Sequence, residues 1–232
     1  MYGGLKVGKD AGQENKDIIE KVKELGTPNT STFQNNIQFI SIIGEIEGHN
    51  ISPSDKKTTK YEHIIPMLIA ATQDSKIEGI FVILNTIGGD VEAGLALAEM
   101  INSIEKPKIS LVLGGGHSIG VPLATASDYS FIVPSAAMTI HPIRTTGLVI
   151  GVPQTFRYFE KMQKRIINFI LRTSKIEKDV LIDLMYSTDE IANDVGTILI
   201  GKEAVDVGLI DEVGGFNQAL KKLNSLIEAK KQ

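Results

Sequence analysis

Short runs of β-branched residues alternate with longer stretches of helical spacing along most of this chain. Ile37 to Ile43, Ile80 to Leu84 and Ile109 to Leu113 are nearly continuous apolar runs, the pattern of strands buried on both faces. Between them, Tyr61 to Ala71 and Val91 to Ile104 repeat apolar residues at helical spacing, and Pro107 stops the second. An Ala-rich helix is expected near Ser118 to Ala126, followed by two short strands, Tyr129 to Val133 and Met138 to His141. A long amphipathic helix is expected at about 154–172, with Phe156, Phe159, Met162, Ile166 and Ile170 on one stripe and Lys161, Lys164 and Arg165 elsewhere. A second helix, Glu177 to Met185, and a closing unit around Leu209-Ile210-Asp211 complete the pattern. Strands and helices in this order predict βαβ units and a largely parallel sheet, an α/β fold.

The two ends differ from this middle. Residues 1–36 are polar and rich in Gly, Asn and Thr, with lysines balanced by acids and one short apolar stripe of Ile18, Ile19, Val22 and Leu25. That composition predicts a flexible N-terminal arm. The domain proper is expected over 37–215, and 216–232 reads as a C-terminal helix and basic tail with Lys221, Lys222, Lys230 and Lys231.

Composition narrows the chemistry. The 232 residues are 42% hydrophobic and 22% charged, ordinary globular values, and the net charge of -4 with no long basic block argues against a nucleic-acid partner. The chain has no cysteine, so a thiol nucleophile, a thiolate metal site and a disulfide are excluded. Its histidines, His49, His63, His117 and His141, are too scattered for a zinc motif, and no metal or cofactor is expected. No apolar run approaches the roughly 18 residues of a membrane span, and the first residues lack a signal-like apolar region, so a cytoplasmic protein is expected.

Three small-residue clusters follow strands, where chemistry in α/β folds gathers. Asn85-Thr86-Ile87-Gly88-Gly89-Asp90 is either a tight strand-to-helix turn or a set of bare backbone N–H donors, with Asp90 placed to cap the next helix. Gly114-Gly115-Gly116-His117-Ser118-Ile119-Gly120 lacks the spacing of either nucleotide-binding glycine template. It offers a serine that is either a helix cap or a nucleophile beside an oxyanion-binding amide. Thr139-Ile140-His141-Pro142 supplies a histidine beyond the serine, either structural or the base that a serine hydroxyl needs near neutral pH. His117 adjoins Ser118, and neighbouring side chains point apart. Residues 116–120 also match the GxSxG elbow of α/β-hydrolases, but no histidine follows His141, as the order of that family requires.

Taken in order, the Gly-Gly step, the Ser-x-Gly step, Ile140-His141-Pro142, the long helix and Glu203-Ala204-Val205-Asp206-Val207-Gly208-Leu209-Ile210-Asp211 resemble the proteolytic subunit of the Clp protease, ClpP, over about 37–215. The resemblance implies a ClpP/crotonase-like spiral of βαβ units with a protruding handle helix, the handle spanning about 154–186. It implies a serine endopeptidase acting on peptides or unfolded proteins inside a homo-oligomeric ring, a heptamer or a stacked double ring, with links to protein translocation or quality control. Ser118 matches the nucleophile, His141 the base, and Gly89 and Ile119 the residues whose amides form the oxyanion hole. Gly88 and His117 fall beside the substrate.

The chain departs from the family in two places. The third triad residue is an aspartate seven positions before the glutamate of the Glu-Ala segment, where this chain has Gly196; Asp194 is the nearest substitute. His117 stands where a small residue is usual, and its imidazole is expected to narrow the entrance beside Ser118. The arm and the polar stretch Gly48 to Glu62 do not match the elements that engage a Clp-type ATPase. Three other readings stay open: a ClpP-like scaffold that binds clients with little hydrolysis, acyl-CoA chemistry of the crotonase type, and a Ser–Lys peptidase using Lys161 or Lys164.

Overall fold

A computed structural model describes residues 36–144, 151–188 and 195–231. All of the expected N-terminal arm but its last residue, Asn36, and also Asp194, lie outside these residues. In chain order the elements are β1 (Ile37–Glu47), β2 (Thr58–Lys60), α1 (Tyr61–Gln73), β3 (Gly79–Gly89), α2 (Val91–Ser103), β4 (Lys108–Gly116), α3 (Gly120–Thr125), β5 (Tyr129–Ile132) and β6 (Ala137–Ile140). They continue with α4 (Val152–Thr173), α5 (Lys178–Tyr186), β7 (Thr197–Ile200), α6 (Lys202–Asp206), β8 (Glu212–Val213) and α7 (Phe216–Lys230).

The sheet runs β2-β1-β3-β4-β5-β8, with every pairing on that path parallel. β6 leaves it from β4 at Gly115 and Ala137, and pairs antiparallel with β7. Alternation along the strands explains why the apolar runs are continuous. Ile80, Val82 and Leu84 of β3, with Ile40 and Ile42 of β1, enter a core shared with α1, α2, α3 and α4. Phe81, with Ile37, Ile109, Leu111 and Phe131, faces the opposite side, where Ala219, Leu223 and Ile227 of α7 cover it.

Two expectations need correction. The glycine clusters at 88–89 and 114–116 are strand, not turn, because β3 and β4 extend through them. Gly89 can stay in the ladder only because it has no side chain: a Cβ there would lie 2.3 Å from Ile46 O. The stretch Gly48 to Glu62 is not all loop, since Thr58–Lys60 adds a short parallel strand to β1. Asp90, by contrast, caps α2 as its sequence position suggested, its carboxylate accepting from Ala93 N at 2.8 Å.

The apolar stripe of α4 also differs from its expected phase. Met162, Gln163, Ile167, Phe169 and Ile170 are buried, whereas Phe156 is 65% exposed. Only the second half of the helix packs on the core. Bonds between α4 and α2 add Arg165 with Glu92 and Arg172 with Glu99. Among the described residues no helix is long and apolar enough to cross a membrane.

Candidate active site

Ser118 lies between the end of β4 and the start of α3, and it is the non-glycine residue with positive φ (57°) among those described. A left-handed backbone costs an L-residue about 1–2 kcal/mol, so the surroundings must hold it there. They do so with backbone bonds on both sides. His117 N donates to Thr86 O (3.1 Å), Ser118 N to Thr139 O (2.9 Å), Gly120 N to His117 O (2.8 Å) and Val121 N to Ser118 O (3.0 Å). The serine thus turns sharply from strand to helix, and the side chain sits on the outside of a constrained turn.

Gly88 and Gly89 bring the end of β3 against that turn. Gly88 has φ 93°, and a Cβ on it would stand 2.7 Å from Ser118 Cβ. Thr86 braces the segment: its buried hydroxyl donates to Gly44 O and accepts from Gly88 N at 3.1 Å. Substituting either glycine would therefore push β3 away from Ser118 or from β1.

His141 follows the last residue of β6, and the backbone of Gly196 presses on it from the β7 side. A Cβ on Gly196 would lie 2.4 Å from Ile140 O and 2.8 Å from His141 Cβ. The position that the resemblance assigns to a triad aspartate is here filled by backbone contact. His141 Nδ1 stands 2.7 Å from Pro142 O. A carbonyl oxygen only accepts, so Nδ1 carries a proton, and whenever the ring is neutral its lone pair is on Nε2.

Ser118, Ile119, Gly89 and His141 line one cavity of about 180 Å³. Its other walls are mostly apolar, with Val91, Val121, Ile140, Ile166, Ile170 and Met185, and Arg144 stands at its edge. The four residues singled out from sequence come from three separate segments of the chain, and all line this cavity. Lys161 and Lys164 are exposed on α4 and do not line this cavity, whose α4 wall is Ile166 and Ile170. The structure thus gives no support to a serine–lysine pair. Among the described residues no three His, Asp or Glu side chains form a metal-binding group.

His117 takes a different place from the expected one. Its Nδ1 bonds to Thr139 Oγ1 at 2.7 Å, its Cδ2 and Nε2 pack over Gly115, and it does not line the cavity. Burial of the ring lowers its pKa from the ordinary imidazole value, and the charge of nearby His141 pushes it the same way. Both effects favour the neutral form of His117. Thr139 emerges as a residue that sequence reading did not single out: its carbonyl holds Ser118 N while its hydroxyl holds His117.

Residues 44–216 match the family model described as Clp protease. The chain belongs to the Clp protease family. It is 57% identical over 212 residues to the translocation-enhancing protein TepA of Halalkalibacterium halodurans, an alignment covering 91% of this chain and 83% of that protein. It is 29% identical over 156 residues to the ATP-dependent Clp protease proteolytic subunit of Lactococcus lactis subsp. cremoris, with 65% of this chain and 74% of that one covered. Among solved structures, a mutant of ClpP1 from Listeria monocytogenes superposes with a TM-score of 0.66 at 20% identity, covering 82% of this chain and 98% of that chain. The fold is therefore the ClpP-like α/β fold, and the family is of the serine-peptidase kind.

Proposed function

We propose that this Clp protease family member is a serine endopeptidase that cleaves peptides or unfolded polypeptide through an acyl-enzyme on Ser118. The observation that carries this reading is the convergence of Ser118, His141 and the backbone of Gly89 and Ile119 on one apolar-walled cavity. Ser118 Oγ attacks the peptide carbonyl carbon while His141 Nε2 takes the hydroxyl proton. The amides of Gly89 and Ile119 bind the oxyanion. The C–N bond then breaks as the imidazolium returns its proton to the leaving amine, and water reverses the sequence to free the acid. Copies of the chain assemble into a ring that encloses these sites, with α4 as the contact between rings. The high identity to a translocation-enhancing protein supports a role beside protein export.

A second reading, a ring that binds protein clients with little hydrolysis, is favoured by one observation. Position 196 has no room for a carboxylate against His141. Asp194 is the remaining candidate for that role.

Fluorophosphonate labelling separates the two. The peptidase reading expects covalent labelling of the wild-type protein, none in Ser118→Ala, and a loss on the order of 10^3- to 10^4-fold in rate for His141→Ala. Absence of labelling in the wild type favours the scaffold. Undiminished labelling in Asp194→Ala removes that residue from the machinery.

A further inference from the structure

The ring of a catalytic base has to be held in one orientation and one tautomer, and the structure has a group that does so on the far side of a single peptide unit from His141. The carbonyl of Pro142 accepts from His141 Nδ1 at 2.7 Å, and the N–H of the same peptide, that of Ile143, donates to Gln163 Oε1 at 2.8 Å. Carbonyl and N–H of a trans peptide point in opposite directions in one plane. Fixing the N–H therefore fixes the direction of the oxygen. The proline ring already sets φ of residue 142, which leaves ψ of Pro142 and φ of Ile143 as the rotations that could swing the oxygen off the imidazole. The bond to Gln163 restrains both.

Gln163 is itself well held. It lies on the buried stripe of α4, only 8% exposed, and its amide nitrogen stands 3.0 Å from Met185 Sδ of α5. That contact also assigns the amide: nitrogen toward the sulfur, oxygen toward Ile143. A glutamine on an apolar helix face costs free energy unless both its ends are satisfied, and both are. The packing of α4 on the core is thereby connected to the ring of the proposed base.

We infer that Gln163 is a positioning residue for His141, acting through the Pro142–Ile143 peptide to keep the proton on Nδ1 and the lone pair of Nε2 directed at the Ser118 side. The inference rests on the peptidase reading for its consequence in catalysis, but the tautomer it assigns to His141 can be read without any activity.

The test uses the full-length protein labelled with 15N-histidine, wild type beside Gln163→Met and Gln163→Glu. Methionine keeps the length and removes the acceptor; glutamate keeps an oxygen for Ile143. In the wild type the neutral His141 ring should show a protonated Nδ1 and a bare Nε2. Gln163→Met should move it toward the Nε2–H tautomer, lower its pKa, and slow fluorophosphonate labelling of Ser118 about 10- to 100-fold, the scale of a small misplacement of a reacting group. Gln163→Glu should keep the Nδ1–H tautomer.

A wild-type ring protonated on Nε2 overturns the inference without any variant. So does a Gln163→Met protein with an unchanged His141 spectrum and labelling rate, or a Gln163→Glu protein that has lost the Nδ1–H form. Signals from His49, His63 and His117 report whether each variant is folded. If the wild type does not label at all, the peptidase reading fails while the nitrogen spectra still decide the role of Gln163. Asp194→Ala, measured alongside, separates a carboxylate effect from the peptide effect.

Discussion

A side chain at position 196 would have to start 2.4 Å from Ile140 O with φ at 133°, a backbone region open essentially to glycine alone. Restoring the aspartate that the resemblance expects there should consequently not restore a triad. Gly196→Asp is expected to lose stability by at least about 1–3 kcal/mol from backbone strain, with further loss from overlap against β6. Its fluorophosphonate labelling should not exceed that of the wild type. Chemical denaturation and labelling rate check the two halves, and an unchanged denaturation midpoint would contradict the crowding at that site. His117 gives a second residue-scale expectation. Its pKa is lowered by burial, so the unfolded chain binds a proton more readily than the folded one. The stability that its neutral ring contributes is full above the ordinary imidazole value, near 6.5, and is lost as pH falls through the folded pKa. The denaturation midpoint should therefore drop on acidification below that value, and His117→Gln should flatten this part of the profile.

Helix α4 shows how different kinds of contact divide the work at the level of elements. Arg165 makes two bonds to Glu92, at 2.7 and 2.9 Å, but both side chains are about half exposed and the pair is screened by water. Arg165→Ala is expected to cost less than about 1 kcal/mol. Phe169→Ala, at a position 2% exposed in the core, should cost about 3–5 kcal/mol. Urea denaturation of the two variants checks the ranking, and a larger loss for Arg165→Ala would reverse it. The same helix marks the limits of what the chain discloses by pattern. Its existence followed from helical spacing, but the phase of its buried face did not, because Phe156 belongs to turns that leave the core and Gln163 replaces an apolar residue on the face that stays. The signal for Gln163 was present: a polar residue four positions after Phe159 and four before Ile167. Its partner was not, since the peptide it holds lies in a segment brought near only by the fold. The strands show the same boundary. β1, β3 and β4 were legible because each is a long apolar run, whereas Thr58–Lys60 and Thr197–Ile200 are three and four residues long and owe their state to partners elsewhere in the chain. Of the candidate site, Ser118 and His141 could be picked out as a serine at a glycine-rich strand end and a histidine beyond it, whereas Gly89 and Ile119 were named only through the resemblance. Thr139, by contrast, acts through its backbone carbonyl and a hydroxyl bond to His117 that no local pattern encodes.

The first turns of α4 raise the question of what the whole molecule does with an apolar surface in water. Val152, Phe156 and Tyr158 are 68%, 65% and 52% exposed, and nothing else in the described chain covers them. Val152 and Phe156 lie one turn apart on one side of the helix and Tyr158 on another; exposed apolar groups mark contact surfaces when they are gathered, and aromatic side chains bury some 150–250 Å² each when covered. An isologous contact between copies through this segment would bury each aromatic twice, once per partner, which is the arrangement that two-fold symmetry imposes. It is also where the proposed ring assembly would join one ring to the next. Phe156→Glu combined with Tyr158→Glu should therefore halve the assembled mass while leaving a folded chain, because these residues lie outside the core and α4 keeps its buried Met162, Ile167, Phe169 and Ile170. Sedimentation velocity of wild type and variant reads the mass, and far-ultraviolet circular dichroism reads the fold. A wild-type protein that sediments as a single chain removes the ring and the enclosed chamber together, and Ser118 would then act, if at all, at an open surface. A wild-type ring whose mass the double substitution leaves unaltered would instead move the contact between rings away from α4.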